Sequence, residues 1–275
     1  MKFNFTSKNT SANIHIIGIP YDASTSYKPG ARFGPNTIRE ASMNLESYSP
    51  YLQKDLVNYQ INDLGNIAFS ANNFGTLSSD FDTLFKPIDF KTTKLLTLGG
   101  EHSIAIMPLR HYLQAFPNLA IIHLDAHTDL RSEYYGDPNS HACIMKNVYD
   151  LFSPTNQLIQ YGIRSGSKEE FDWMQQNGTL VTSRQELLAR VSALDCPIYL
   201  TLDIDFFDPS VMPGTGTPEA GGEDFHFFIS LIKLLNQKNL VGADVVELAP
   251  KIDPSGISEA NTAKICRELL LAMAH

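Results

Sequence analysis

The sequence LAIIHLDAHTD, residues 119–129, joins a β-type apolar run directly to two aspartates and a histidine. The same arrangement recurs as PIYLTLDID at 197–205, and a third apolar run ends in GGEH at 99–102. Because side chains alternate along a strand, residues two apart at a strand end can turn toward one point. The three stretches supply six metal-type side chains: His102, Asp125, His127, Asp129, Asp203 and Asp205.

Six such ligands exceed the needs of one ion. A divalent ion is commonly held by three or four protein ligands, and carboxylates can bridge a pair of ions about 3.5–4 Å apart that share one activated water. The clusters therefore predict a two-metal hydrolase. The oxygen-rich, thiol-free set favours Mn²⁺ over Zn²⁺ by ligand hardness, although the general affinity order runs the other way.

Apolar, β-branched runs alternate with amphipathic stretches along the chain. The runs predict strands buried on both faces at Ile14–Ile19, Lys94–Leu98, Leu119–Leu124, Gln157–Ile163, Pro197–Leu202 and Val241–Val246. Helices are predicted at Pro35–Leu45, Ser103–Ala115, Ser167–Gln176, Ser183–Val191, Asp224–Leu235 and Ser258–Met273. This alternation is typical of an α/β fold with a mostly parallel sheet, whose ligand crevice lies beyond the carboxyl ends of the strands. Glu247 follows the last strand and falls at the same rim.

The composition is that of an ordinary globular protein. The 275 residues contain no linker-like segment, so we expect a single domain over 1–275, with residues 1–13 as a flexible extension. No apolar run approaches the roughly 20 residues of a membrane span, and no export signal is visible, which together with three scattered cysteines favours the cytoplasm. The net charge of −9 argues against nucleic-acid binding and mildly favours a small cationic substrate.

Simpler interpretations explain parts of the pattern. A lone carboxylate at a strand end is usually a turn or helix cap, but four strand ends converging on one rim are not explained in this way. Asp203 and Asp205 also fit the DxD motif of aspartyl-phosphate phosphatases, which leaves the cluster at 125–129 unexplained. An EF-hand is excluded because Asp208 stands where that loop needs Gly. We interpret the glycine-rich segment 214–222 as a loop that shapes the crevice.

Two further histidines lie near the cluster. His123 falls inside an apolar strand and receives no predicted role. His141 follows a polar loop that could fold over the rim, where an imidazole can shuttle protons near neutral pH. Cys143, two residues later, is predicted to be a quiet buried thiol.

With these motifs the chain resembles a known family, the ureohydrolases, which include arginase and agmatinase. The resemblance runs from about residue 14 to 272, and the stretches GIPYD at 18–22 and SYKPGARFGP at 26–35 are similar to the agmatinase branch. It implies a three-layer α/β/α fold around an about eight-stranded sheet. It also implies two Mn²⁺ per chain and a homo-oligomer, commonly a trimer or hexamer.

The resemblance also implies a role for each motif residue. One ion would be held by His102, Asp125, Asp129 and Asp203, and the other by Asp125, His127, Asp203 and Asp205. Asp129 would orient hydroxide, Glu247 would pair with the guanidinium of the substrate, and His141 would relay protons. The implied reaction is hydrolysis of agmatine to putrescine and urea, a step of polyamine biosynthesis.

The sequence leaves open which group the substrate carries at the end away from its guanidinium, here called its tail. Ala142 and Cys143 replace the Gly-Thr that often follows this histidine in agmatinases, which alters the wall of the site. The loop after Asp129 lacks the Asn with which arginases bind a carboxylate, whereas Arg131 or Arg164 could receive one. Guanidinobutyrate, formiminoglutamate, arginine and guanidine therefore stay as alternative substrates. An inactive binding or regulatory protein is the alternative from another class, and deacetylases of this fold lack the second ligand set.

Overall fold

A computed structural model describes residues 1–6, 12–69 and 73–274 of the chain. Its strands are β1 (Ile14–Ile19), β2 (Tyr48–Ser49), β3 (Lys54–Asp55), β4 (Ile61–Asn66), β5 (Lys94–Gly99), β6 (Ala120–Leu124), β7 (Gln157–Tyr161), β8 (Leu180–Val181), β9 (Ile198–Asp203) and β10 (Leu240–Val246). Its α-helices are α1 (Gly34–Ser42), α2 (Phe74–Phe85), α3 (Ile106–Ala115), α4 (Ile144–Tyr149), α5 (Lys168–Asn177), α6 (Arg184–Ser192), α7 (Phe225–Leu235) and α8 (Ile257–Met273).

Eight of these strands form one sheet in the order β4-β1-β5-β10-β9-β6-β7-β8. Every neighbouring pair in it is parallel, which confirms the predicted sheet type. β2 and β3 form a separate antiparallel pair. The order places β5, β10, β9 and β6 side by side in the centre, so the carboxyl ends that carry the predicted site residues are direct neighbours.

Alternation along the strands builds a core on each face of the sheet. In β6, Ile122 and Leu124 pack with α1, α6, α7 and α8 on one face, whereas Ile121 packs with α2, α3, α4 and α5 on the other. Burying a side chain of this size contributes about 1.5–3 kcal/mol. The result is the predicted three-layer arrangement, with helices on both sides of the sheet.

Several elements differ from the sequence prediction. β4 and β8 were not predicted, because they are the two edge strands and their sequences are short or half polar, without a continuous apolar run. The helices α2 and α4 were also missed. β7 ends at Tyr161, two residues early, because Gly162 turns the chain with a φ of 96°. A Cβ at Gly162 would lie 2.7 Å from the carbonyl oxygen of Asp125, so this glycine lets the chain pass close to the site.

The predicted flexible extension over residues 1–13 is wrong for residues 1–6. The ring of Phe3 is buried, and its backbone N–H donates to Asp63 Oδ2 at 2.7 Å, which ties the N-terminus to β4. Residues 7–11 of the expected extension lie outside the described residues. In the described part of the chain, no helix is both long and apolar enough to cross a membrane.

Candidate functional site

The six predicted metal ligands meet at the carboxyl ends of β5, β6 and β9. Most of them are almost completely buried, and His127 is the most accessible, with 26% of its side chain exposed. His102 begins a 3₁₀ turn after β5, and Asp203 ends β9. Two groups of ligand atoms share Asp125: the first also contains His102, His123 and Asp129, and the second also contains His127 and Asp205.

His102 is held in the orientation that a metal ligand needs. Thr201 donates its hydroxyl hydrogen to Asp244 at 2.8 Å, so Thr201 Oγ1 accepts from His102 Nε2–H, also at 2.8 Å. In the neutral imidazole the proton therefore lies on Nε2, and the lone pair of Nδ1 is the one that a cation would use. Nδ1 lies 2.9 Å from Asp125 Oδ2 and 3.2 Å from Asp129 Oδ2, yet it has no hydrogen-bond partner among the described residues. A buried nitrogen of this kind, facing carboxylate oxygens, fits a cation.

The second group is built around His127. Its Nδ1 lies 2.9 Å from Asp205 Oδ2 and 3.5 Å from Asp125 Oδ1. Backbone N–H groups fix the carboxylates: His127 donates to Asp125 Oδ1, Ala126 to Asp205 Oδ1, and Asp205 to Asp203 Oδ1. Asp203 Oδ2 remains directed to the first group, 3.6 Å from His102 Nδ1.

His123, which received no predicted role, touches the site. Its Nε2 lies 2.9 Å from Asp125 Oδ2, and its Nδ1 lies 3.2 Å from the amide nitrogen of Gln160. The same amide donates to the carbonyl of Thr128, so Gln160 donates to Nδ1 and His123 donates from Nε2 to Asp125. The signal was present in the sequence, because a residue two before Asp125 on a strand faces the same side.

The cluster is short of positive charge. In the described part of the chain, the ion pairs of Asp125, Asp129, Asp203 and Asp205 are all with histidines, and none is with Lys or Arg. Burial, followed by the charges of Asp205 and Asp125, raises the pKa of Asp203 well above its ordinary value. Burial lowers the pKa of His127, but Asp205 and Asp125 together raise it to about 12. Carboxylates that repel one another around an unpartnered imidazole nitrogen fit divalent cations.

Two of the predicted catalytic residues have unusual backbones. Asp129 has a φ of 52° and Glu247 a φ of 67°, values that L-residues rarely adopt and that concentrate at functional sites. The carbonyl of Asp129 accepts the N–H groups of Met145 and Lys146, and Glu247 Oε1 accepts the N–H of His102 at 2.8 Å. Burial, followed by the charge of Glu101, raises the pKa of Glu247 well above its ordinary value.

A cleft of about 300 Å³ opens beside the cluster. It is lined by His127, Asp129 and His141 together with Tyr134 and Arg131, so the predicted polar loop does fold over the rim. His141 begins a 3₁₀ turn, and its ring makes a T-shaped contact with the ring of Tyr134.

Cys143 is buried behind this wall of the cleft. Burial, followed by the charges of Asp129 and Asp137, raises the pKa of its thiol to about 11, in agreement with the predicted quiet cysteine. Ala142, the other residue that departs from the usual agmatinase pattern, lines the cleft directly.

Arg131 and Arg164, the two alternative partners for a substrate carboxylate, have different surroundings in the structure. The guanidinium of Arg164 donates to main-chain carbonyls, including Asp205 at 2.6 Å and Glu219 at 2.8 Å, and so holds the loop beside the site. Arg131 lines the cleft and lies over the Tyr134 ring. Glu170, which the sequence did not single out, is a buried cleft residue whose Oε1 has no hydrogen-bond partner among the described residues.

Comparison with known proteins places the chain in a family. The arginase family model matches residues 12–272. An agmatinase of Bacillus subtilis (strain 168) is 38% identical over 271 residues, covering 94% of this chain and 91% of that protein. An agmatinase of Bacillus cereus is 40% identical over 275 residues with the same coverage. The crystal structure of the agmatine ureohydrolase of Thermoplasma volcanium has a TM-score of 0.87 and 26% identity, covering 99% of this chain and 94% of that one. The chain therefore belongs to the arginase family.

Proposed function

We propose that this protein is a manganese-dependent agmatinase, which hydrolyses agmatine to putrescine and urea. The observation that carries the proposal is the cleft itself. The cleft lies beside the group of carboxylates and imidazoles that lacks Lys or Arg partners among the described residues, and its wall contains one further buried carboxylate, that of Glu170. A substrate with a guanidinium at one end and an ammonium at the other matches both features in charge.

The ligand sets expected from the sequence overlap with the two groups of side chains, but they add Asp203 to both and leave out His123. His102, Asp125, Asp129 and Asp203 would hold one ion, and Asp125, His127, Asp203 and Asp205 the other. Oxygen-rich sets of this kind suit Mn²⁺. A bound pair of cations supplies chemistry that the side chains lack, because it lowers the pKa of water far enough to give a nucleophile near neutral pH.

Three side chains at the site would act on the nucleophile, the guanidinium and the leaving group. Asp129 would orient the nucleophile, and the Glu247 carboxylate would pair with the guanidinium and hold its carbon in place. His141, in the cleft wall, would carry a proton to the departing amine, so that putrescine leaves as urea forms. The proposal also includes a cytoplasmic location and a homo-oligomer, trimer or hexamer, as the family resemblance implies.

The tail of the substrate is assigned by charge. Arg164 is engaged by main-chain carbonyls, so Arg131 is the one of these two arginines that lines the cleft, and Glu170 lines the same cleft. A substrate carboxylate placed beside the buried carboxylate of Glu170, and not paired with Arg131, would cost about 1–3 kcal/mol, at least tenfold in specificity. We therefore expect kcat/KM for agmatine to exceed that for arginine by tenfold or more.

The experiment tests agmatine, arginine, guanidinobutyrate, formiminoglutamate and guanidine as substrates. Product formation is measured for each of them with added Mn²⁺. Glu170→Gln supplies a matched test, since it should lower kcat/KM for agmatine and leave the carboxylate-tailed substrates unaffected or faster. If guanidinobutyrate or formiminoglutamate is hydrolysed faster than agmatine, the agmatine assignment is wrong while a guanidino hydrolase stands. Absence of turnover on the whole panel would favour a binding or regulatory protein.

A further inference from the structure

Ser24 lies between a buried carboxylate and the histidine of the cleft. It belongs to the segment that follows β1, far in sequence from both partners. Its Oγ lies 2.7 Å from Glu101 Oε1 and 3.0 Å from His141 Nδ1. The backbone N–H of His141 also donates to Ser24 Oγ, at 3.0 Å. One hydroxyl therefore connects the loop after β5, the segment after β1 and the start of the turn that carries His141.

The hydrogens of this arrangement can be assigned by counting donors. Glu101 is almost fully buried, and its two oxygens accept the hydroxyl and the backbone N–H of Ser24. Ser103 donates to the same carboxylate at 2.5 Å. A hydroxyl has one hydrogen, and that of Ser24 is directed to Glu101. Toward His141, Ser24 Oγ can only accept, so the short contact to Nδ1 is a hydrogen bond only if Nδ1 carries the proton.

We propose that Glu101 and Ser24 form a positioning pair that holds His141 as its Nδ1–H tautomer and leaves the Nε2 lone pair to take up a proton. The role in turnover rests on the proposed ureohydrolase function, whereas the tautomer does not. Glu101 orients Ser24, and Ser24 orients the imidazole, in the way that a third group orients the base beside a nucleophile. Ser24 and Glu101 are positioning residues, because they act on the reaction through His141.

A second serine provides the alternative. Ser140 Oγ lies 3.3 Å from the same Nδ1 and could donate to it, which would place the imidazole proton on Nε2 instead. The two serines thus predict opposite tautomers. Ser24 has the shorter contact and a committed hydroxyl hydrogen, and for these reasons we assign the proton to Nδ1.

The kinetic test compares Ser24→Ala, Ser24→Thr and the matched control Ser140→Ala, each with and without His141→Ala. We expect Ser24→Ala to lower kcat for urea release about 10–100-fold with KM within about threefold, and Ser24→Thr to restore most of it. In the His141→Ala background, Ser24→Ala should change kcat less than about twofold, because its effect passes through the imidazole. Equal losses in both backgrounds, or a larger loss for Ser140→Ala than for Ser24→Ala, would overturn the proposal.

A neutron-diffraction map of the unmodified protein tests the tautomer without substrate. Crystals kept above the pH range in which imidazoles titrate should carry deuterium on His141 Nδ1, directed at Ser24 Oγ. Deuterium on Nε2, with the Ser140 hydroxyl directed at Nδ1, would overturn the assignment. Because this map needs no turnover, failure of the positioning pair is distinguishable from failure of the agmatinase proposal, which the substrate panel tests.

Discussion

Asp63, in the edge strand β4, and Asp125, directly after the central strand β6, are both buried aspartates, but their charges are balanced in different ways. Asp63 receives a two-point ion pair from Arg39, with Nε–Oδ2 at 2.8 Å and Nη2–Oδ1 at 2.9 Å, and also accepts backbone N–H groups. Asp125 has histidines for partners and further carboxylates for neighbours. The charge of Asp63 is balanced within the chain, whereas the carboxylates around Asp125 have no Lys or Arg partner in the described part of the chain. Buried charge that the chain does not balance is therefore the feature that separates a binding site from a structural ion pair.

Removal of metal should have the largest effect, because only the Asp125 cluster depends on added cations. We expect a chelator to abolish urea formation and added Mn²⁺ to restore it, since uncompensated carboxylates around one point repel one another. Metal analysis of the active protein should give two ions per chain. Full turnover with a single bound ion would contradict the two-ion ligand sets.

We expect the substitution Asp129→Asn to have the second-largest effect on activity. The amide keeps the size of the side chain but removes the charge that orients the nucleophile, so we expect kcat to fall about 10²–10³-fold. The surface variant Asp150→Asn is a matched control, because Asp150 forms only an exposed ion pair with Lys146 and should retain full activity. Metal content of both variants must be measured alongside, and near-normal kcat in Asp129→Asn would assign the orienting role to another residue.

The comparison also explains what the sequence can and cannot predict. The central strands are buried on both faces, and their apolar runs and the carboxylates at their ends are local signals, so the sheet and the convergence of carboxylates and imidazoles at its carboxyl edge could be predicted. The edge strand β4 lacks that signal, since it is covered on fewer sides. Ser24 was missed because its contacts are with residues far away in sequence, as in the 117-residue separation between Ser24 and His141. Glu170 was missed because its sequence context is that of a helix N-terminus, where it accepts the backbone N–H of Ser167.

Asp63→Asn should change stability rather than catalysis. Burial would raise the pKa of Asp63, but hydrogen bonds and the charge of Arg39 lower it below its ordinary value. A lowered pKa stabilises the fold above the unfolded-state value near 4, and that contribution is lost as the pH falls through the folded-state pKa. We expect a loss of about 3–5 kcal/mol in the free energy of unfolding at pH 7, because Arg39 keeps a buried unpaired charge.

Chemical denaturation at several pH values measures this loss. The difference between Asp63→Asn and the unmodified protein should shrink as the pH falls below about 4, since Asp63 is then protonated first in the unfolded chain and, at lower pH, in the folded protein. The folded fraction of the variant should keep its kcat and its two ions at pH 7. A fall in kcat per folded molecule would mean that the two clusters are coupled, and the distinction between them would then be wrong.

The smallest expected effect concerns a series of buried, hydrogen-bonded side chains behind Asp125. Thr179 donates to Gln160 Oε1 at 2.9 Å, and the Gln160 amide donates to His123 Nδ1, which fixes the His123 proton on Nε2 toward Asp125. Hydrogen-bond partners of this kind orient a carboxylate for metal binding. Their loss typically weakens metal affinity 10–100-fold.

Gln160→Met keeps the length of the side chain but removes the donor to His123, so either nitrogen of that imidazole can then carry the proton. We expect the apparent Kd for Mn²⁺ to rise about 10–100-fold, with kcat near normal at saturating metal. Thr179→Val is the matched control, because it removes the Thr179–Gln160 hydrogen bond but leaves the amide beside His123. Metal titrations followed by urea release and by calorimetry should therefore separate the two variants. If Thr179→Val weakened Mn²⁺ binding as much as Gln160→Met, the effect would come from general disturbance of the buried packing, and the orientation of Asp125 by His123 would not be its cause.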